Sequence, residues 1–283
     1  MNSPLHAERI ASLSSAPALG LDIEVVATTG STNADLRARL ETLTRPLLLA
    51  AEAQSAGRGR AGRSWLAAAG DSLCFSLAWK FAGPITQLTG LPLAVGVVLA
   101  ETLAAAGWPV KLKWPNDLLK EGVKLGGILI ESALVRSAPT AAPQIWAVIG
   151  VGLNTRSNPV LTAAVGNDIA ALGSEPVDRD ALLASIATAF ATALPQFDAQ
   201  GLAPFAARWE VLHAHAGEPV TILEGGQIRE QGIAFGIDAS GCLLLDTAAG
   251  RIAVSVGDVS LRSTNFNANF SANKDEANHA AAD

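Results

Sequence analysis

At Gly217 the texture of this 283-residue chain changes, and each side of that point demands a different kind of fold. Upstream, apolar runs rich in β-formers at 23–28, 47–54, 72–81, 110–114, 124–132 and 144–153 are separated by stretches of helical character. The clearest strand is 72–81, where Leu73, Phe75, Leu77 and Trp79 alternate with Cys74, Ser76, Ala78 and Lys80 to give one apolar face. One helix is expected after Ser31 and Asn33, which stand where an N-cap belongs, ahead of the i,i+4 pair Leu36 and Leu40. Others are expected over 85–106, interrupted by Pro92 and Gly96, over 179–198, with Leu182, Leu183, Ile186 and Phe190 on one face, and over 203–213. Downstream, short β-like runs at 220–223, 232–237, 243–246 and 252–256 alternate with turns such as Glu224-Gly225-Gly226 and Ser240-Gly241. The pattern predicts an α+β chain: a mixed β-sheet flanked by helices, then a small β-barrel.

Domain limits follow the same texture. Residues 1–20, rich in Ser and Ala, read as a flexible N-terminal arm or short helix, 21–215 as the main domain and 216–262 as the barrel. Residues 136–143 carry two prolines and read as a loop, while 263–283 hold almost no large aliphatic residue and read as a disordered tail.

Composition then excludes several function classes. Hydrophobic residues make up 49% and charged residues 16%, which suits a packed globular protein. The formal net charge of -6 argues against duplex binding through overall positive charge. The two cysteines, Cys74 and Cys242, are far apart in apolar runs and read as buried small side chains, without a zinc spacing or disulfide framework. His6, Glu8 and Arg9 break the apolar stretch a secretory signal needs. The apolar run 91–100 stops at Glu101, short of the about 20 residues that span a bilayer. A cytoplasmic protein is expected.

Three segments carry chemistry. In Gly57-Arg58-Gly59-Arg60-Ala61-Gly62-Arg63-Ser64-Trp65, arginines are interleaved with glycines after a strand. Glycine lets backbone N–H groups approach an anion and arginine offers a forked donor to phosphate or carboxylate, so the loop suits a nucleotide. A solvated basic loop, or a nucleic-acid segment, has the same composition. In Lys111-Leu112-Lys113-Trp114-Pro115-Asn116-Asp117, proline forces the chain out of a strand and leaves Asn116 and Asp117 at its end. There a carboxylate can meet Mg²⁺ or a ribose, or simply cap a turn. In Lys124-Leu125-Gly126-Gly127-Ile128-Leu129-Ile130-Glu131, a lysine opens a buried strand, which calls for an anionic partner or a wet strand end.

Weaker signals are Thr28-Thr29-Gly30-Ser31-Thr32-Asn33, able to hold a small polar head-group or only to cap a helix, and Gly150-Val151-Gly152-Leu153-Asn154, a poor dinucleotide fingerprint without its third glycine. His213 and His215 do not form a metal-ligand spacing.

Taken in order, Ser31-Thr32-Asn33, Gln54 through Trp65, Lys113 through Asp117, Lys124 through Leu129 and Gly150 through Asn154 resemble the biotin–protein ligase family, over about residues 22–262. Gly201 through Trp209 and Gly232 through Asp238 share in the resemblance. It implies a class II synthetase-like catalytic sheet and an SH3-like C-terminal barrel. It also implies ATP-dependent biotinylation of a lysine on a biotin carboxyl carrier protein through biotinyl-5′-adenylate, with Mg²⁺ assisting. By the same match, Ser31, Thr32, Asn33, Gln54, Gly57, Arg58, Gly59, Arg60, Lys124 and Gly126 belong to the biotin site. Arg58, Arg60, Arg63, Trp65, Asn116, Asp117, Lys124 and Asn154 belong to the ATP or adenylate site. Lys124 and Arg60 are the expected catalytic residues and Asp117 the expected Mg²⁺ contact.

Two departures bear on function. Only about 20 residues precede the first matching strand, too few for a three-helix DNA reader, so a ligase without repressor activity is expected, as a monomer or weak homodimer. Residues 155–172, which in the family help cover adenine, contain no aromatic side chain. The competing readings are a lipoate or octanoate ligase or transferase, and a nucleic-acid-binding module built on the Gly-Arg loop.

Overall fold

The computed structural model describes residues 3–136, 142–255 and 259–263. The elements, in chain order, are α1 (Ala7–Leu13), β1 (Asp22–Thr29), α2 (Thr32–Arg39), β2 (Leu47–Gln54), β3 (Ser72–Phe81), α3 (Leu91–Ala105), β4 (Lys111–Lys113), β5 (Asp117–Lys120), β6 (Val123–Val135) and β7 (Gln144–Asn154). They continue with α4 (Pro159–Val165), α5 (Arg179–Gln200), α6 (Ala203–Leu212), β8 (Pro219–Glu224), β9 (Gln227–Ile237), β10 (Leu243–Thr247), β11 (Gly250–Val254) and β12 (Val259–Ser263).

Seven strands form one sheet in the order β1-β2-β3-β7-β6-β5-β4. It is mixed because β1 runs parallel to β2 while β2–β3, β3–β7, β7–β6, β6–β5 and β5–β4 are antiparallel. The alternation read in β3 decides how the layers stack. Leu73, Phe75, Leu77 and Trp79 join the main core with Leu91, Val97 and Leu99 of α3 and Leu183, Ile186 and Phe190 of α5. Ala78, on the opposite face, joins a second cluster with Leu36 of α2 and Leu40, which follows that helix. Both faces are therefore covered, and apart from Lys80 the strand is buried along its length. Pro92 falls in the first turn of α3, where a missing N–H costs nothing. Residues 85–90 before it form a 3₁₀ turn rather than the first turns of one long helix.

Ile85–Ala105 is apolar and long enough to cross a membrane, yet two thirds of its most apolar window is buried inside the protein, as the central core helix. The remaining five strands form an antiparallel sheet, β11-β10-β9-β8-β12, consistent with an SH3-like domain. Its inner residues Val220, Ile222, Ala234, Leu243 and Leu245 belong to the same hydrophobic cluster as the main core. Trp114 Nε1 donates to the Gly241 carbonyl at 3.1 Å and Ala214 N donates to the Leu112 carbonyl at 2.8 Å, tying the barrel to β4.

Several expectations are corrected. Residues 5–21 are not a flexible arm: α1 packs on α5, with Leu5, Ile10, Ala16 and Leu21 buried. Arg9 bridges Asp178 at 2.6 Å and Asp180 at 3.1 Å, and the buried Arg179 holds the Ser3 carbonyl at 2.8 Å and Glu52 at 2.9 Å. Asn116 and Asp117 do not end a strand; Pro115 makes a turn and Asp117 begins β5, paired back on Lys113. Cys74 is buried, its thiol pushed up to about 11 by that burial, whereas Cys242 is partly exposed beside Ser240 at 3.3 Å. The loop expected at 136–143 and the tail expected at 263–283 lie, for residues 137–141 and 264–283, outside the described residues.

Candidate functional site

The strand ends and loops on the α2 side of the sheet enclose one cleft whose lining changes from neutral to cationic along its length. Its floor is a chain of hydrogen bonds. Thr32 N donates to Gln54 Oε1 at 2.8 Å, Thr32 Oγ1 lies 3.2 Å from that oxygen and 2.6 Å from Ser76 Oγ, and Ser76 Oγ donates to Asn33 Oδ1 at 2.5 Å. Asn33 Nδ2 donates to Glu131 Oε2 at 2.9 Å. Ser31 holds the N-cap position of α2 without a side-chain cap bond, and its side chain faces the cleft with those of Thr32 and Asn33. These residues fill a helix start that packs against the sheet, so their polar groups face β3 instead of water.

The mouth is cationic. The loop from Gly57 to Trp65 folds back on itself, with Gly59 N donating to Arg63 O at 2.7 Å and Trp65 N to Gly57 O at 2.9 Å. Ala61 and Gly62 turn the chain at φ of 54° and 69°. Arg60 is half-buried and its Nη1 donates to Asn116 Oδ1 at 2.9 Å; Arg58 and Arg63 also line the cleft but stay exposed. Lys124 Nζ lies 2.5 Å from Asp117 Oδ1 and 5.9 Å from the centre of the Trp65 indole. Lys113 Nζ approaches the other Asp117 oxygen at 4.0 Å. Among the described residues, five cationic side chains and one carboxylate line a cleft in a chain of net charge -6, a local excess of positive charge that favours an anion.

Asp117 does not suit a resident Mg²⁺. Its carboxylate is already engaged by two ammonium groups, and the described residues contain no cluster of three His, Cys, Asp or Glu that could hold a metal.

Of the residues expected from sequence, Ser31, Thr32, Asn33, Gln54, Arg58, Gly59, Arg60, Arg63, Trp65, Asn116, Asp117 and Lys124 line the cleft. Gly57, Gly126 and Asn154 do not, and their roles are supporting ones. A Cβ on Gly57 would collide with the Trp65 carbonyl, and one on Gly126 would sit 2.6 Å from Gly152 O. Asn154 Nδ2 donates to Ala170 O at 3.0 Å and, with Ala170 N to Lys124 O at 2.8 Å, fastens residues 155–172 beside the cleft.

Ser76, Lys113, Glu131 and Leu261 were not marked as site residues, although Leu261 of the barrel and both Ser76 and Lys113 line the cleft. A serine on the small-residue face of β3 was the available signal for Ser76. Gly150 and Gly152 are no dinucleotide fingerprint: a Cβ on Gly150 would lie 2.9 Å from Asn33 Cγ, and one on Gly152 would enter the Trp65 indole. They leave room for two cleft side chains.

Residues 23–154 match the Biotin/lipoate A/B protein ligase family, and residues 215–262 match the Biotin protein ligase C terminal domain. The chain is 36% identical over 247 residues to the bifunctional ligase/repressor BirA of Escherichia coli, covering 86% of this chain and 75% of that protein. It is 36% identical to the biotin–[acetyl-CoA-carboxylase] ligase of Mycobacterium tuberculosis, covering 84% of this chain and 88% of the relative. A biotin protein ligase from Aquifex aeolicus, solved in complex with biotin and ATP, superposes with a TM-score of 0.69 at 26% identity, covering 86% of this chain and 99% of that one. The chain belongs to the biotin protein ligase family.

Proposed function

We propose that the protein activates biotin with ATP and transfers the biotinyl group to a lysine of a biotin carboxyl carrier protein. The carrying observation is the single cleft in which the neutral floor of Thr32, Asn33, Ser76 and Gln54 meets a mouth of arginines and lysines. The floor offers donors and acceptors to a ureido ring, and the mouth offers cations where a carboxylate must approach a triphosphate.

In the first step a biotin carboxylate oxygen bonds to the α-phosphorus of ATP and the bond to the bridging oxygen breaks, releasing pyrophosphate. Both reactants are anions, so cations that offset their repulsion and stabilise charge on the phosphoryl oxygens lower the barrier. Arg60, braced by Asn116, and Lys124, held by Asp117, are the best placed, with exposed Arg58 and Arg63 free to close over the ligand. Mg²⁺ enters as the companion of the nucleotide substrate. In the second step the ε-amine of the acceptor lysine attacks the biotinyl carbonyl carbon, AMP leaves, and the amine loses a proton as the amide forms.

The lipoate alternative is not favoured by relatives that are biotin ligases. Action without DNA binding, in the cytoplasm, as a monomer or weak homodimer, belongs to the same proposal. The net charge of -6 supports the first part. The test is ATP–pyrophosphate exchange, expected with biotin and absent with lipoate; exchange with lipoate alone overturns the proposal.

A further inference from the structure

Glu131 lies on β6 outside the cleft lining, yet its hydrogen bonds dictate what the cleft floor can recognise. A carboxylate has only acceptors, so the amide nitrogen of Asn33 must face it, as the 2.9 Å contact to Oε2 and a second contact of 3.4 Å to the Leu129 carbonyl require. Arg37 Nη1 holds the other carboxylate oxygen at 2.7 Å and fixes the glutamate. The Asn33 carbonyl oxygen is thereby turned towards Ser76 Oγ at 2.5 Å and can only accept, so the single Ser76 proton points at it. Ser76 Oγ, fully buried, is left as an acceptor for the Thr32 hydroxyl at 2.6 Å. Gln54 Oε1 already accepts the Thr32 backbone N–H at 2.8 Å and lies farther, at 3.2 Å, from the Thr32 hydroxyl. The Thr32 proton is therefore consumed inside the protein, and its oxygen presents lone pairs to the cleft.

We propose that Glu131 is a positioning residue that sets the polarity of this chain, making Thr32 Oγ1 an obligate acceptor that selects a ring N–H of biotin. The inference rests on the biotin-activating reading above and names what sets its selectivity at one end of the ligand. A ligand with an acceptor in place of that N–H meets lone pairs on both sides, which costs more than the loss of one hydrogen bond.

The experiment compares biotin with the two cyclic carbamate analogues in which one or the other ring N–H is replaced by oxygen, in ATP–pyrophosphate exchange by the full chain. The wild type is expected to reject one of the analogues strongly. In Glu131→Ala the Asn33 amide is free to reverse, the Thr32 proton can turn outwards, and KM for biotin rises about tenfold with a much smaller change in kcat. The preference for biotin over the rejected analogue falls by at least the same factor. Glu131→Gln, which can still accept from Asn33 Nδ2, restores most of that preference, a rescue that loss of packing alone would not give. Should Glu131→Ala fail to fold, Ser76→Ala breaks the same chain by removing one oxygen, and the same loss of preference is expected. Wild-type discrimination retained in Glu131→Ala, or in Ser76→Ala where the first does not fold, overturns the inference. Absence of biotin-dependent exchange in the wild type overturns instead the reading on which it rests.

Discussion

Gly152→Ala is the substitution whose effect the structure fixes most tightly. The added Cβ would stand 2.5 Å from Trp65 Nε1 and 2.6 Å from Cζ2, where carbon contacts normally settle near about 3.5–4.0 Å. The indole must retreat by about 1 Å, because Gly152 sits in the middle of the sheet, paired with Cys74 on β3 and Gly127 on β6, and cannot yield. Overpacking of this kind costs about 1–3 kcal/mol, which for a chain of this size lowers the melting temperature by about 2–4 °C per kcal/mol. The indole also sits 5.9 Å below the Lys124 ammonium, and Trp65 N ties the loop to Gly57 O at 2.9 Å, so the cationic loop shifts with it. Pyrophosphate exchange should fall at least tenfold, since misplacement by about 1 Å of groups that position reactants can cost far more. Thermal denaturation and exchange kinetics on the same preparation check both parts. A Gly152→Ala protein with the melting temperature and exchange rate of the wild type would refute the packing argument.

Other outcomes follow from the same geometry. Lys124→Ala and Arg60→Ala should each remove most adenylation while the protein stays folded, because both side chains lie at the cleft mouth; exchange assays beside circular dichroism decide it, and normal turnover in both would defeat the assignment. Gly59→Val brings its Cβ to 3.3 Å from Arg63 O, a tight contact, and stiffens the loop expected to cover the adenylate; faster release of adenylate into solution is expected, and an unchanged rate counts against closure. Acid should destabilise the protein through His213, buried against Trp209 with both ring nitrogens unpartnered among the described residues, and pushed down to about 4 mainly by burial, with His215 adding and Glu218 opposing. Below its ordinary value the unfolded chain binds a proton that the fold refuses, so stability falls between about pH 6.5 and 4, by roughly 3 kcal/mol at most. Denaturant titrations of wild type and His213→Phe over that range should differ in slope, and equal slopes would exclude the histidine.

What was legible in the sequence has a physical reason, and so has what was not. The alternation of β3, the break at Gly217 and the clustering of arginine with glycine are local patterns, and local patterns survive into the fold. The packing of α1 was hidden because its partners Asp178 and Asp180 lie some 170 residues away, while its Ser- and Ala-rich surroundings look like solvent-facing chain. The four-residue β5 was hidden behind Pro115-Asn116, a turn signal so strong that the strand beyond it reads as more turn. Site membership was legible for charged residues, since an arginine or lysine beside glycine asks for an anion. It was not legible for Ser76 and Glu131, whose roles arise only when β3, β6 and α2 are brought together. Gly150 and Gly152 were visible as a poor dinucleotide fingerprint, but only the fold shows that Asn33 and Trp65 occupy the space a side chain would need.

Intact-mass spectrometry of a biotin carboxyl carrier domain, incubated with the purified chain, ATP, Mg²⁺ and biotin, addresses the whole sequence of steps at once. The acceptor should gain the mass of a single biotinyl group on one lysine, and only when all three small molecules are present. An acceptor whose mass stays unmodified, with a folded enzyme and saturating substrates, would contradict the account.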